Sequence, residues 1–209
     1  MEYSAGSVSK LFWYIETKET VKLLKDNDIN EVKEIVISNN LYQQRSEDRL
    51  NREFNVISRR LMSLPKTLIT MLSDADIMTS KLIVVVSIMA TDRLFFELMY
   101  EVFREKIRME EDILKDSDLN VFFRSKQEQS DVCAKWTDAA IKKLKQTFLK
   151  YMLEAQLIKN SDYSKNDKKF YFYIDDDFMG LNFAIEKRIS FSLRMPTQSQ
   201  SMTSHRRHR

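Results

Sequence analysis

Apolar residues recur along this chain at helical spacing, and the run from Thr137 to Ile158 shows it best. Ile141, Leu144, Phe148, Tyr151, Met152 and Ala155 follow the i, i+3, i+7, i+11 rhythm that lines one side of a helix. Lys142, Lys143, Gln146 and Lys150 fall on the other side. A helix of this kind docks on a core by its apolar stripe and offers cations and an amide outward. Thr137 is placed to cap its start, and Asp138 sets negative charge at the positive end of the helix dipole.

The stretch around it falls into short elements. Asp116 and Ser117 open a helix carrying Leu119, Phe122 and Phe123, and Ser130 caps a short one carrying Val132, Cys133 and Trp136. After Ile158 comes the polar run KNSDYSKNDKK, and then Phe170, Tyr171, Phe172 and Tyr173, strand-like by composition. Three helices followed by a hairpin with a basic tip is the order of a winged helix-turn-helix.

Upstream, the pattern predicts a first helix from Val8 to Leu24 that buries Leu11, Phe12, Ile15, Val21 and Leu24. Asp28 and Glu31 form a capping box for a second, which buries Ile29, Val32, Ile35 and Val36 and ends at Asn39 and Asn40. A third turns Leu50, Phe54, Ile57 and Leu61 inward, with Arg52 and Arg59 opposite and Arg49 and Arg60 flanking. Those arginines admit two readings: a second DNA-facing helix, or the solvated side of a bundle helix. Pro65 interrupts the pattern, and a helix over Lys66 to Leu72 is followed by a loop from Ser73 to Asp76. Met78 to Ala90 is apolar nearly all round, and Thr91 and Asp92 cap a long helix over LFFELMYEVFREKI. These two are the expected central scaffold.

The predicted fold is therefore mainly α: a helical bundle with helix-turn-helix modules, the C-terminal one winged by a small β-hairpin. Residues 1–64 form the first module, 65–115 the scaffold, 116–177 the winged unit, and 178–209 a divergent tail expected to be partly disordered. With two glycines and two prolines in 209 residues, an all-β or Rossmann-type fold is disfavoured.

Charge changes the picture only through its distribution. Of the net +3, four arginines in the acid-free stretch 194–209 supply +4, which leaves −1 for residues 1–193. Within that neutral body, Lys135 to Lys159 holds six lysines against Asp138 and Glu154. A local basic surface on a neutral protein is the pattern of a binder that uses one face.

Catalytic chemistry finds no foothold. Gly6 and Gly180 are isolated, so no phosphate-cradling loop is present, and His205 and His208 both lie in the tail. Asp175, Asp176 and Asp177 alternate faces if extended and read as a solvated turn rather than a magnesium site. Cys133, the single cysteine, reads as a buried thiol. The longest apolar run, Leu82 to Ala90, is far shorter than the ~20 residues a spanning helix needs. A cytoplasmic, non-enzymatic protein with no metal or other cofactor, no small-molecule substrate and no membrane partner is expected.

Three long motifs, YSAGSVSKLFWYIETKETVKLL, MATDRLFFELMYEVFREKI and DSDLNVFFRSKQEQSDVCAKWTDAAIKKLKQTFLKYMLEAQLI, together resemble the BrxA family of bacteriophage exclusion (BREX) defence systems. The resemblance runs from Tyr3 to Ile158 and lapses after Asp177. It implies a small, helical, non-enzymatic DNA-binding component of a multi-gene phage-restriction system, acting beside a methyltransferase and other large subunits. The expected partner is double-stranded DNA, with other BREX subunits beside it. Lys142, Lys143, Gln146 and Lys150 are the expected groove-facing residues, with Lys135 nearby, Lys165, Lys168 and Lys169 in the wing, and Arg52 and Arg59 on the upstream helix. Lysine contacts to phosphate give salt-sensitive affinity with little sequence information, although Gln146 can read an adenine edge. The competing reading is an adaptor that docks another subunit of the defence complex.

Overall fold

Asp28 accepts hydrogen bonds from the backbone N–H groups of Asn30 and Glu31 at 2.7 and 3.0 Å, while the Glu31 carboxylate takes the Asp28 N–H at 2.8 Å. This reciprocal box starts α2 (Ile29–Ser38) as its sequence predicts. Asp76, Asp92 and Thr137 likewise cap three further helices by accepting from backbone N–H groups in the first turn. The computed structural model describes residues 2–160 and 169–172. In chain order its other helices are α1 (Tyr14–Leu23), α3 (Glu47–Met62), α4 (Lys66–Asp74), α5 (Ile77–Thr91), α6 (Arg93–Leu98), α7 (Arg104–Arg108), α8 (Asp116–Gln129), α9 (Asp131–Ala134) and α10 (Asp138–Glu154). Three short strands complete it: β1 (Ile113–Lys115), β2 (Ile158–Asn160) and β3 (Lys169–Phe172). The fold is mostly helical with one small antiparallel sheet, as expected.

The first helix departs from its pattern. Ala5–Ser9 forms a 3-10 turn and α1 begins only at Tyr14, because Trp13 sits in the left-handed region with φ of 52°. A non-glycine residue there is strained, so the helix cannot run through it. The consequence is a change of facing: Phe12 is buried, but Leu11 and Ile15, expected inside, are 42% and 66% exposed.

α3 keeps its inward set of Leu50, Phe54, Ile57 and Leu61. Arg60, expected on the flank, is instead 2% exposed, and its Nη1 donates to the carbonyls of Leu11 and Phe12 at 2.9 and 3.3 Å. Its guanidinium also stands 5.5 Å from the centre of the Trp13 ring. Fixed carbonyl dipoles and an aromatic face replace the water that the cation gives up.

α5 is the axis of the bundle. Val84, Val85, Ile88 and Met89 are buried in it, and it packs against α1, α3, α4, α6 and α10. Asp92 then caps α6 by accepting from the Phe95 N–H at 3.1 Å, and takes the Ser7 hydroxyl as well. The single long helix expected after it is interrupted by a π-helical turn over Met99–Phe103. Beside that turn, Lys126 of α8 is 3% exposed, with Nζ 2.8 Å from Glu97 and 2.6 Å from Glu101.

The predicted hairpin is the edge of something larger. β3 lies between β1 and β2 and pairs antiparallel with both, so Ile113, ahead of the last three helices, meets Tyr171. One face, with Leu114, Ile158, Phe170 and Phe172, is buried against the helices. No helix among the described residues is long and apolar enough to cross a membrane.

Candidate nucleic-acid interface

The Thr137 hydroxyl accepts a hydrogen bond from the Ala140 N–H at 3.2 Å, so α10 starts where its sequence says. Ile141, Leu144, Phe148, Tyr151 and Met152 are buried, and Phe148 and Tyr151 meet the Phe95 ring at centroid distances of 5.2 and 5.4 Å. Phe148 also stacks on Phe123 of α8 at 6.3 Å. The Tyr151 hydroxyl donates to the Lys10 carbonyl at 2.7 Å, which pins α10 to the start of the chain. Its pKa is pushed up to about 12, first by burial. Five large side chains therefore fix the rotation of α10 about its own axis.

That rotation decides what faces out. Lys142, Lys143, Gln146 and Lys150 are all exposed, and Lys135 is exposed in the turn that leads from α9. Lys150 is partly compensated by Glu154 at 3.6 Å. Lys142 and Lys143 have no salt-bridging carboxylate among the described residues. Lys145, one position out of phase, is tied instead to Asn120 of α8. It holds the helices together rather than joining the outward group.

The sheet adds cations that the sequence pattern missed. On its outer face Lys115 stands directly opposite Lys169, and Lys159 opposite Tyr171. Like charges placed opposite one another on a sheet repel and cost stability, so their presence favours a surface that meets an anion. Lys115 had no local signal to mark it; only the return of β3 to β1 brings it beside Lys169. Lys165 and Lys168, expected in the loop of the hairpin, lie outside the described residues, as do Asp175, Asp176, Asp177 and the tail.

Arg52 and Arg59 are exposed on α3, well separated in sequence from the α10 group. Arg59 is close enough to Lys10 for its charge, after burial, to lower the Lys10 pKa. The structure thus presents two cationic helix faces: lysines with one glutamine on α10, arginines on α3.

Comparison with known proteins places the chain. The BrxA family model matches residues 1–169. A curated relative, BREX protein BrxA of Bacillus cereus, is 42% identical over 159 residues, which cover 76% of this chain and 80% of the relative. Among solved structures, an uncharacterised protein from Magnetospirillum magneticum superposes with a TM-score of 0.68 at 17% identity, over 93% of this chain and 97% of that one, and so shares the fold. With the motifs, the helix order and the family match in agreement, the chain belongs to the BrxA family.

Proposed function

We propose that this protein is a non-enzymatic, double-stranded DNA-binding component of a BREX phage-defence system, working in the cytoplasm. The defence role follows its curated relative, which is named a BREX protein. In this reading α8, α9 and α10 with the sheet act as a winged helix-turn-helix. Lys142, Lys143, Gln146 and Lys150 border the major groove, Lys135 meets a flanking phosphate, and the sheet contributes Lys169. The observation that carries it is the outward, uncompensated state of Lys142 and Lys143 on a helix whose rotation is locked by Phe148 and Tyr151. Lysines dominate the surface, so phosphate contact outweighs base reading and sequence preference is low.

The test is affinity for an arbitrary duplex across a salt series. Each phosphate contact contributes about 0.9 to the slope of log affinity against log salt. Lys142→Glu with Lys143→Glu is expected to lower that slope by about two and to weaken binding at least about tenfold. An unchanged slope would remove α10 from the DNA surface. If the double variant binds duplex normally but loses another subunit of the defence complex, the adaptor reading takes its place.

A further inference from the structure

The arginines of α3 are not accounted for by α10 and its wing. Arg49, Arg52 and Arg59 are exposed, and Arg45 is exposed just ahead of the helix. At 100° per residue, Arg52 and Arg59 fall on one line along α3 with Arg49 beside them, a row about 15 Å long at 1.5 Å per residue. None of the four has a salt-bridging carboxylate among the described residues; Arg52 Nε bonds only the Asp48 carbonyl, at 3.2 Å. Of the acids of the same helix, Glu47 and Asp48 sit in its first turn, where they serve the dipole, and Glu53 is buried and bonded to Gln44, although the charge of Arg49 reaches it. Three guanidiniums along one helix and a fourth just ahead of it, none in a salt bridge, are costly to a protein with no anion to meet, and their planar fork matches phosphate oxygens two at a time.

The direction of this row matters as much as its charge. α3 and α10 turn their inner sides toward one another: Arg60 of α3 lies against the ring of Tyr151 of α10, at 5.8 Å. At 100° per residue Arg52 and Arg59 stand about 80–100° round α3 from Arg60, while Lys142 stands about 180° round α10 from Tyr151. The arginine row and Lys142 therefore point in different directions from the shared core.

We propose that the α3 arginines form a second site for the phosphate backbone of a DNA duplex, so that one copy of the protein holds two duplex segments at once. This rests on the α10 reading above and extends it from binding to bridging.

The experiment immobilises one duplex on beads and follows capture of a second, fluorescent duplex by the full chain, with binding to a single short duplex measured in parallel. Wild type is expected to capture the second duplex. Arg52→Glu with Arg59→Glu is expected to keep single-duplex binding within about threefold and to lose at least about nine-tenths of the capture, while Arg52→Lys with Arg59→Lys restores it. Lys142→Glu with Lys143→Glu is expected to lose capture as well. Capture that survives the arginine charge reversal would mean bridging through self-association and would overturn the proposal. So would normal single-duplex binding with no capture by wild type, which would leave the α3 face to an acidic protein partner. Failure of wild type to bind even the single duplex would instead sink the α10 reading, and with it both sites.

Discussion

The guanidinium of Arg60 and the ring of Tyr151 lie 5.8 Å apart in the core, although 91 positions separate them in the chain. This contact joins the upstream helices to α10, and the ring of the strained Trp13 lies 5.5 Å from the same cation. Arg60→Ala is expected to cost about 3–5 kcal/mol, because it opens a cavity and leaves the Leu11 and Phe12 carbonyls unpaired. Arg60→Met, which keeps the volume, is expected to cost less. Urea unfolding of both, in a cycle with Tyr151→Leu, which removes the ring, checks this. A coupling energy below about 0.5 kcal/mol between positions 60 and 151 would mean that the two act independently.

Glu53 carries the next expectation. It is 3% exposed, one oxygen accepts from Gln44 Nε2 at 2.8 Å, and the other has no hydrogen-bond partner among the described residues. Burial first, and then the charge of Glu16, raise its pKa from 4.5 to about 7. The folded state therefore holds this proton more tightly than the unfolded chain. The stability it contributes is full below pH 4.5 and is lost as pH rises through about 7. At 1.36 kcal/mol per pKa unit the loss is up to about 3 kcal/mol. Glu53→Gln is expected to flatten that window and to be the more stable protein at alkaline pH. Equal pH dependence in the two proteins, read from urea midpoints, would rule the assignment out.

Lys126 sets the opposite pH trend. Burial raises the Glu97 carboxyl, but hydrogen bonds from Lys126, Arg93 and Tyr3 outweigh it, and the pKa ends below its usual value. Stability from Glu97 is thus present above the ordinary carboxylate range and is lost as pH falls through the lowered folded value. Lys126→Met leaves Glu97 and Glu101 without their shared cation, at an expected cost of about 3 kcal/mol near neutral pH that shrinks in acid. A cost that does not change with pH would argue for simple loss of packing.

At the entry to α10, Thr137→Ala removes the hydroxyl that accepts the Ala140 N–H. The expected loss is about 1 kcal/mol, with faster amide exchange confined to the first turn. Thr137→Ser should restore most of it. Exchange that quickens along the whole of α10 would show that the cap governs more than its own turn.

Much of this was legible in the chain. The caps at Asp28 and Thr137, the inward sets of α3 and α10, and the outward place of Lys142, Lys143 and Gln146 follow from spacing and local hydrogen bonding, which act within a few residues. What escaped depends on distant partners. Arg60 and Lys126 look like surface residues until Tyr151 and Trp13, or Glu97 and Glu101, are brought to them. β1 has only three residues, too few for a period, and exists because β3 returns to pair with it. Leu11 and Ile15 fit a helical stripe, but the left-handed turn at Trp13 rotates them into solvent. For the candidate interface, exposure could be read in advance; the meeting of Lys115 with Lys169 could not.

The bond from Tyr151 to the Lys10 carbonyl also bears on how the molecule is made. On the ribosome, α3 emerges long before residue 151, so Arg60 lacks the ring of Tyr151 until α10 has been translated. The first half cannot reach its final packing alone. Completion waits for α10 to clear the exit tunnel, and the same late arrival that seals the core also delivers the lysine face, so a nascent chain gains its proposed DNA surface only as it finishes folding.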